Sequence, residues 1–244
     1  MGVRAVLFDF GHTLMDFGRT EEALRGAYSF VQRRLANWVE DRTPPEVDDL
    51  VERIADEVDR MVQRSYEQRR LEELDIVELF DDAFTALGYK LPPELVREVV
   101  ELDHEALVNS VRIEPETMDI LEKLKADGLK LGLVSNVSQL PELLHRDIKT
   151  FGIAQFLDGI AFSSEIGVRK PRPQIFEHVL NEVGVAPNEA IFVGDRLVDD
   201  IAGAQAVGMR AVLTRQYRKE EPDSIAPDAV IEHITELPDV LSRF

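Results

Sequence analysis

The chain has 244 residues, with 28 Lys plus Arg against 47 Asp plus Glu, a formal net charge of −19. A surface that acidic repels nucleic acid and anionic membranes, which argues against both as general partners, and it suits a salt-rich cytoplasm. Cys is absent, so disulfides, thiolate catalysis and Cys-based zinc sites are excluded, while 44% hydrophobic residues suffice for a sizeable buried core.

The N-terminal MGVRAVLFDF lacks a signal-peptide apolar region and cleavage site, and no later run approaches a membrane span. A cytoplasmic protein is the expectation. Val3 to Phe8 is a compact apolar run that predicts a strand buried on both faces and ending at Asp9. The next ninety or so residues carry helical patterns at Thr20–Trp38, Pro45–Gln68, Glu72–Leu87 and Pro93–Asn109. Pro44-Pro45, Gly88 and Pro92-Pro93 punctuate them. Val47, Leu50, Val51, Ile54, Val58, Met61 and Val62 recur at helical steps and give one apolar stripe on a charged helix.

After Ser110 the pattern alternates. Helices at Pro115–Ala126, Gln139–Phe151, Pro173–Val183 and Val198–Val207 separate strands at Leu129–Val134, Gly159–Phe162, Ala190–Val193 and Arg210–Leu213. Ala229–Ile231 and Thr235–Leu241 close the chain. The expected class is α/β, a Rossmann-like parallel sheet with helices on both faces. The first strand must join that sheet to be buried. Residues 17–110 therefore form an inserted all-helical unit, and 1–16 with 111–244 form the core.

Ligands of open parallel sheets bind at the carboxyl ends of the strands. Those ends carry Asp9-Phe10-Gly11-His12-Thr13, Ser135-Asn136, Lys170-Pro171 and Gly194-Asp195, with Asp199 and Asp200 following. Carboxylates suit a divalent metal, and hydroxyls with an ammonium suit phosphate oxygens. A DFG triplet also occurs in protein kinases, but no Gly-rich loop, paired Lys or H-R-D loop precedes residue 9.

FDFGHTL, LVSN, RKPRPQIF and VGDRLVDDIAGAQAVGM resemble, in order and spacing, the four motifs of the haloacid dehalogenase superfamily. The helical insertion after the first motif resembles the cap of one of its subgroups. The resemblance implies a Mg2+-dependent phosphohydrolase for a small phosphorylated metabolite. Asp9 would be the nucleophile that forms an aspartyl-phosphate, and also a Mg2+ ligand. Thr13, Ser135 and Lys170 would serve the phosphoryl group, with Asn136 and His12 binding substrate. Gly11 would offer its backbone carbonyl to the metal, Asp195 would bind it directly, and Asp200 would stand in its outer shell.

Gly11 departs from the family pattern, which has a second Asp there as proton donor and acceptor. Its loss implies leaving groups that need little protonation, or a proton from His12 or a cap residue. A metal-free dehalogenase would also lack that Asp, but has no use for Gly194-Asp195. A phosphate-binding or interaction module without turnover is a further reading that Gly11 alone supports. A side chain at position 11 would also be strained if Gly11 took a positive φ. Arg196 stands where Ser is common in the family.

Overall fold

The computed structural model describes residues 2–38, 43–220 and 224–244. The strands are β1 (Ala5–Phe8), β2 (Lys130–Ser135), β3 (Gly159–Phe162), β4 (Ala190–Gly194), β5 (Arg210–Thr214) and β6 (Ala229–Ile231). They pair in parallel in the order β3-β2-β1-β4-β5-β6. All four residues of β1 are buried, because the strand lies inside the sheet and is covered on both faces. Alternation then splits its side chains. Val6 and Phe8 join Leu131, Leu133, Ile191 and Val193 on one face, while Ala5 and Leu7 join Val134, Phe192 and Leu213 on the other.

Between β1 and β2 come α1 (Glu21–Trp38), α2 (Val47–Leu50), α3 (Asp56–Glu67), α4 (Ile76–Ala86), α5 (Pro93–Val108) and α6 (Pro115–Ala126). The α/β portion continues with α7 (Pro141–Thr150), α8 (Ser163–Ile166), α9 (Pro173–Val183), α10 (Gly203–Ala206) and α11 (Leu237–Leu241). Proline opens α5, α6, α7 and α9, where a missing N–H costs no hydrogen bond. The helical insertion has its own core, built around Tyr28, Leu35, Ile54, Phe80, Phe84 and Val99. Leu140 and Leu143, from the α/β side, pack into that core.

Three differences from the sequence reading matter for the site. Val51–Ala55 widens to a π turn between α2 and α3. Beyond it Val58 still packs in the core, but Val62 is half-buried and lines a cavity together with Tyr66, one turn on. Next, the helix expected from Glu72 begins at Ile76. Asp75 caps it by accepting N–H bonds from Val77 (2.8 Å) and Glu78 (3.3 Å), so the residues before it are free to do something else.

The third difference follows from that freedom. Two stretches of chain connect the insertion to the core, near Phe17–Gly18 and Val111–Pro115. Those connections do hydrogen-bond to each other, Asp16 N–H to Arg112 C=O at 2.9 Å and Arg112 N–H to Asp16 C=O at 2.8 Å. The stretch before α4 supplies another contact. Arg169 N–H donates to Leu71 C=O (2.8 Å) and Glu73 N–H to Gly167 C=O (3.0 Å). The Glu73 carboxylate, buried, then takes the Arg169 guanidinium (Nε 2.9 Å) and the hydroxyls of Ser138 and Ser163.

Candidate active site

The ends of β1, β2 and β4 open onto a cavity of about 520 Å³ between the sheet and the helical insertion. Asp9 follows β1, and its N–H is held by Val193 C=O at 2.9 Å, which ties the nucleophile candidate to the neighbouring strand. Lys170 Nζ lies 2.6 Å from Asp9 Oδ1 and 2.7 Å from Asp200 Oδ1, all three side chains buried. Oxygens of Asp9, Asp195 and Asp200 lie within 4.8 Å of one another.

The loop after β4 is shaped by Asp200. Its Oδ2 accepts the N–H groups of Asp195 (3.0 Å) and Arg196 (2.9 Å). Asp200 N–H and Ile201 N–H both reach Arg196 C=O, which opens the following helix with a π turn over Leu197–Ala202. This requires Gly194: a Cβ there would lie 2.4 Å from Asp200 Cγ. Asp200 therefore has both oxygens engaged and stands behind the cavity wall, whereas Asp9 and Asp195 line it.

Electrostatics follow from burial. Desolvation raises the Asp9 pKa, against the pull of Lys170. Desolvation and the charges of Asp9 and Asp200 push Asp195 up to about 8, although Arg218 Nε lies 3.0 Å from its Oδ2. Asp199, also on the wall, rises to about 6 through desolvation and Asp200. Burial disfavours the Lys170 ammonium, but Asp200 and Asp9 outweigh it and hold the pKa above its ordinary value. Three carboxylates facing one ammonium and one guanidinium make a site that favours an added cation.

Ser135, Asn136, His12 and Gly11 line the same cavity. Asn136 has both ends of its amide on the Lys170 backbone: Lys170 N–H donates to Oδ1 (2.7 Å) and Nδ2 donates to Lys170 C=O (3.1 Å). It thus fixes the segment that carries the ammonium. Thr13 is set apart: it is buried, its Oγ1 has no partner, and it is not on the cavity wall. His12 takes a left-handed φ of 59°, and Gly11, where a positive φ would have strained any side chain, is not left-handed. What fills the space beside Gly11 is Phe17, whose Cε1 would lie 2.7 Å from an added Cβ and whose ring stacks on His12 at 4.6 Å. Burial and the nearby Arg218 lower the His12 pKa.

Sequence reading missed Arg218, Tyr66, His104 and Asp147, all on the cavity wall. Arg218 follows β5, so the strand-end rule that found Asp9 and Asp195 would also have flagged it. The other three sit on helices, where nothing in the sequence separates a cavity-facing side chain from a core one. Among the described residues, no helix is long and apolar enough to cross a membrane.

Comparison with known proteins agrees with this geometry. Residues 3–208 match the haloacid dehalogenase-like hydrolase family. A glyceraldehyde 3-phosphate phosphatase of Methanopyrus kandleri is 36% identical over 169 residues, covering 66% of this chain and 70% of that protein. The crystal structure of a HAD phosphatase from Thermococcus onnurineus superposes with a TM-score of 0.63 at 27% identity, over 98% of each chain. That of a 2-haloacid dehalogenase from Pseudomonas syringae superposes with a TM-score of 0.70, also at 27% identity, over 99% of each. With a parallel sheet in this order, a helical insertion after its first strand and these matches, the chain belongs to the haloacid dehalogenase-like hydrolases.

Proposed function

We propose that the protein is a Mg2+-dependent phosphatase of small phosphorylated metabolites, with Asp9 as nucleophile. The observation that carries this reading is the buried group of Asp9, Asp195, Asp200 and Lys170 at the sheet edge. A carboxylate-only donor set fits a hard divalent cation. Asp9 and Asp195 on the wall, with Gly11 beside them, would hold it, and Asp200 would keep their loop in place. When bound, Mg2+ supplies charge neutralisation and a template for in-line attack. Asp9 attacks phosphorus, the ester oxygen departs with its electron pair, and water then cleaves the aspartyl-phosphate. Lys170, fixed by Asn136, offsets charge between the carboxylate and the incoming phosphoryl oxygens. Residues 17–110 would act as the cap that excludes water.

The phosphatase relatives support the substrate class, and a small sugar phosphate fits the cavity volume. Gly11 and the dehalogenase likeness favour a second reading, attack of Asp9 on a haloacid carbon. The carboxylate trio counts against it. Hydrolysis of p-nitrophenyl phosphate with Mg2+ or with EDTA, beside chloride release from 2-chloropropionate, separates the two. Phosphate release that needs Mg2+ and falls by ~10³-fold or more in Asp9→Asn is the expected result. Metal-independent chloride release, with no phosphate turnover, would establish the dehalogenase instead.

A further inference from the structure

One wall of the cavity is unused by the reaction just described. It is formed by α5 and α7, with Leu107, Val108, Val111, Leu144 and Phe151 giving it an apolar surface. Set in that wall is a hydrogen-bonded pair, His104 Nε2 and Asp147 Oδ2 at 2.6 Å, both residues buried. His104 lines the cavity, and its Nδ1 is buried and has no hydrogen-bond partner among the described residues. Gln139, from the loop before α7, lines the same cavity, and its Oε1 is likewise buried and without a partner among the described residues.

A buried ring nitrogen without a partner is costly unless something that enters the cavity satisfies it. We infer that His104, oriented by Asp147, is a specificity-determining residue that reads a hydroxyl on the organic part of the substrate. The inference rests on the phosphatase reading and adds to it the chemistry of the leaving group. With Nε2 donating to the carboxylate, Nδ1 accepts from a hydroxyl when the ring is neutral and donates to one when it is charged. A hydroxyl satisfies either state. A substrate carboxylate is disfavoured there by the Asp147 charge beside it.

The cationic side of the cavity does not compete for this role. Arg218 is engaged with Asp195, and Arg196 lies 3.8 Å from Asp199. A second anionic group on the substrate would meet the carboxylate of Asp195 or Asp199 beside each guanidinium. The site therefore takes a short hydroxylated phosphate monoester, its phosphate at Asp9 and Lys170 and a carbon-bound hydroxyl at His104 and Gln139.

Glycerol 3-phosphate and propyl phosphate, which differ only in the hydroxyls, test this on the full chain with Mg2+. Wild type should prefer glycerol 3-phosphate. His104→Leu should lose roughly 3- to 10-fold in kcat/KM on it, mainly through KM, and leave propyl phosphate within about twofold. His104→Asn, which keeps a hydrogen-bonding group, should retain part of the preference, and it carries the test if the Leu variant does not fold. Equal losses on both substrates would mean that the His104–Asp147 pair merely ties α5 to α7, and would overturn the inference. So would an unchanged preference. If wild type hydrolyses neither these esters nor p-nitrophenyl phosphate, the phosphatase reading fails and takes this inference with it; selective failure of the His104 variants leaves that reading standing.

Discussion

Gly11 is held small by a neighbour, not by its backbone. The Phe17 ring edge occupies the place of any side chain at position 11, and the same ring stacks on His12. Gly11→Asp should therefore overpack the loop and destabilise the fold by about 1–3 kcal/mol, read as a lower melting temperature. Phe17→Ala in the same chain should recover much of that loss. The double variant should also raise the rate on alkyl phosphates relative to aryl phosphates, since a carboxyl group can then protonate a poor leaving group. An unchanged alkyl-to-aryl ratio in a well-folded double variant would mean that the proton already comes from elsewhere. Asp9, Ser135 and Asp195 were legible in the sequence because each follows an apolar run that reads as a buried strand, whereas Lys170, well beyond the end of β3, was picked out by the resemblance of RKPRPQIF to a family motif. Phe17 was not, because it returns to Gly11 around a turn. The His104–Asp147 pair was not, because it joins two helices that the sequence cannot orient.

The contact made by the stretch before α4 is where element-level reading failed and where stability can be probed. Polar residues continue the helical pattern back to Glu72, and only the cap at Asp75 shows where it stops. Glu73 is thereby freed to pair with Arg169, the residue before Lys170, and so joins the helical insertion to the catalytic segment. Glu73→Leu should cost about 3–5 kcal/mol, because the Arg169 guanidinium is left buried and unpaired. Arg169→Met added to it should restore most of the melting temperature. Burial alone would raise the Glu73 pKa, but hydrogen bonds from Arg169 and Ser163 outweigh it and hold the pKa below its ordinary value. A depressed carboxylate contributes stability above its unfolded pKa, roughly 4.3, and loses it as pH falls through the folded value. The melting curves of wild type and the Leu/Met double variant should therefore converge as the pH is taken into that acid range. Parallel curves would remove Glu73 from the acid-sensitive groups.

At the scale of the whole molecule, the net charge of −19 opposes the approach of a phosphate ester. Raising ionic strength from about 0.01 to 1 M shortens the screening length from roughly 30 to 3 Å, which removes the long-range repulsion but not the contacts at Lys170. kcat/KM for an anionic substrate should therefore rise with salt; a steep fall would show that the local cations govern encounter. The sheet order has a separate consequence, in time. Ala5 pairs with Lys130 on one side and Ala190 on the other, so β1 has no partner until β2 has been made and is not enclosed until β4 follows. The helical insertion packs α1 against α5 and α4 against α5, contacts confined to its own stretch of chain. It can fold while β1 waits on the ribosome. Asp9 is tied down only when β4 docks beside β1 and Val193 takes its N–H. A chain stalled before β4 would carry a folded helical insertion beside a first strand that is paired with β2 on one edge and bare on the other.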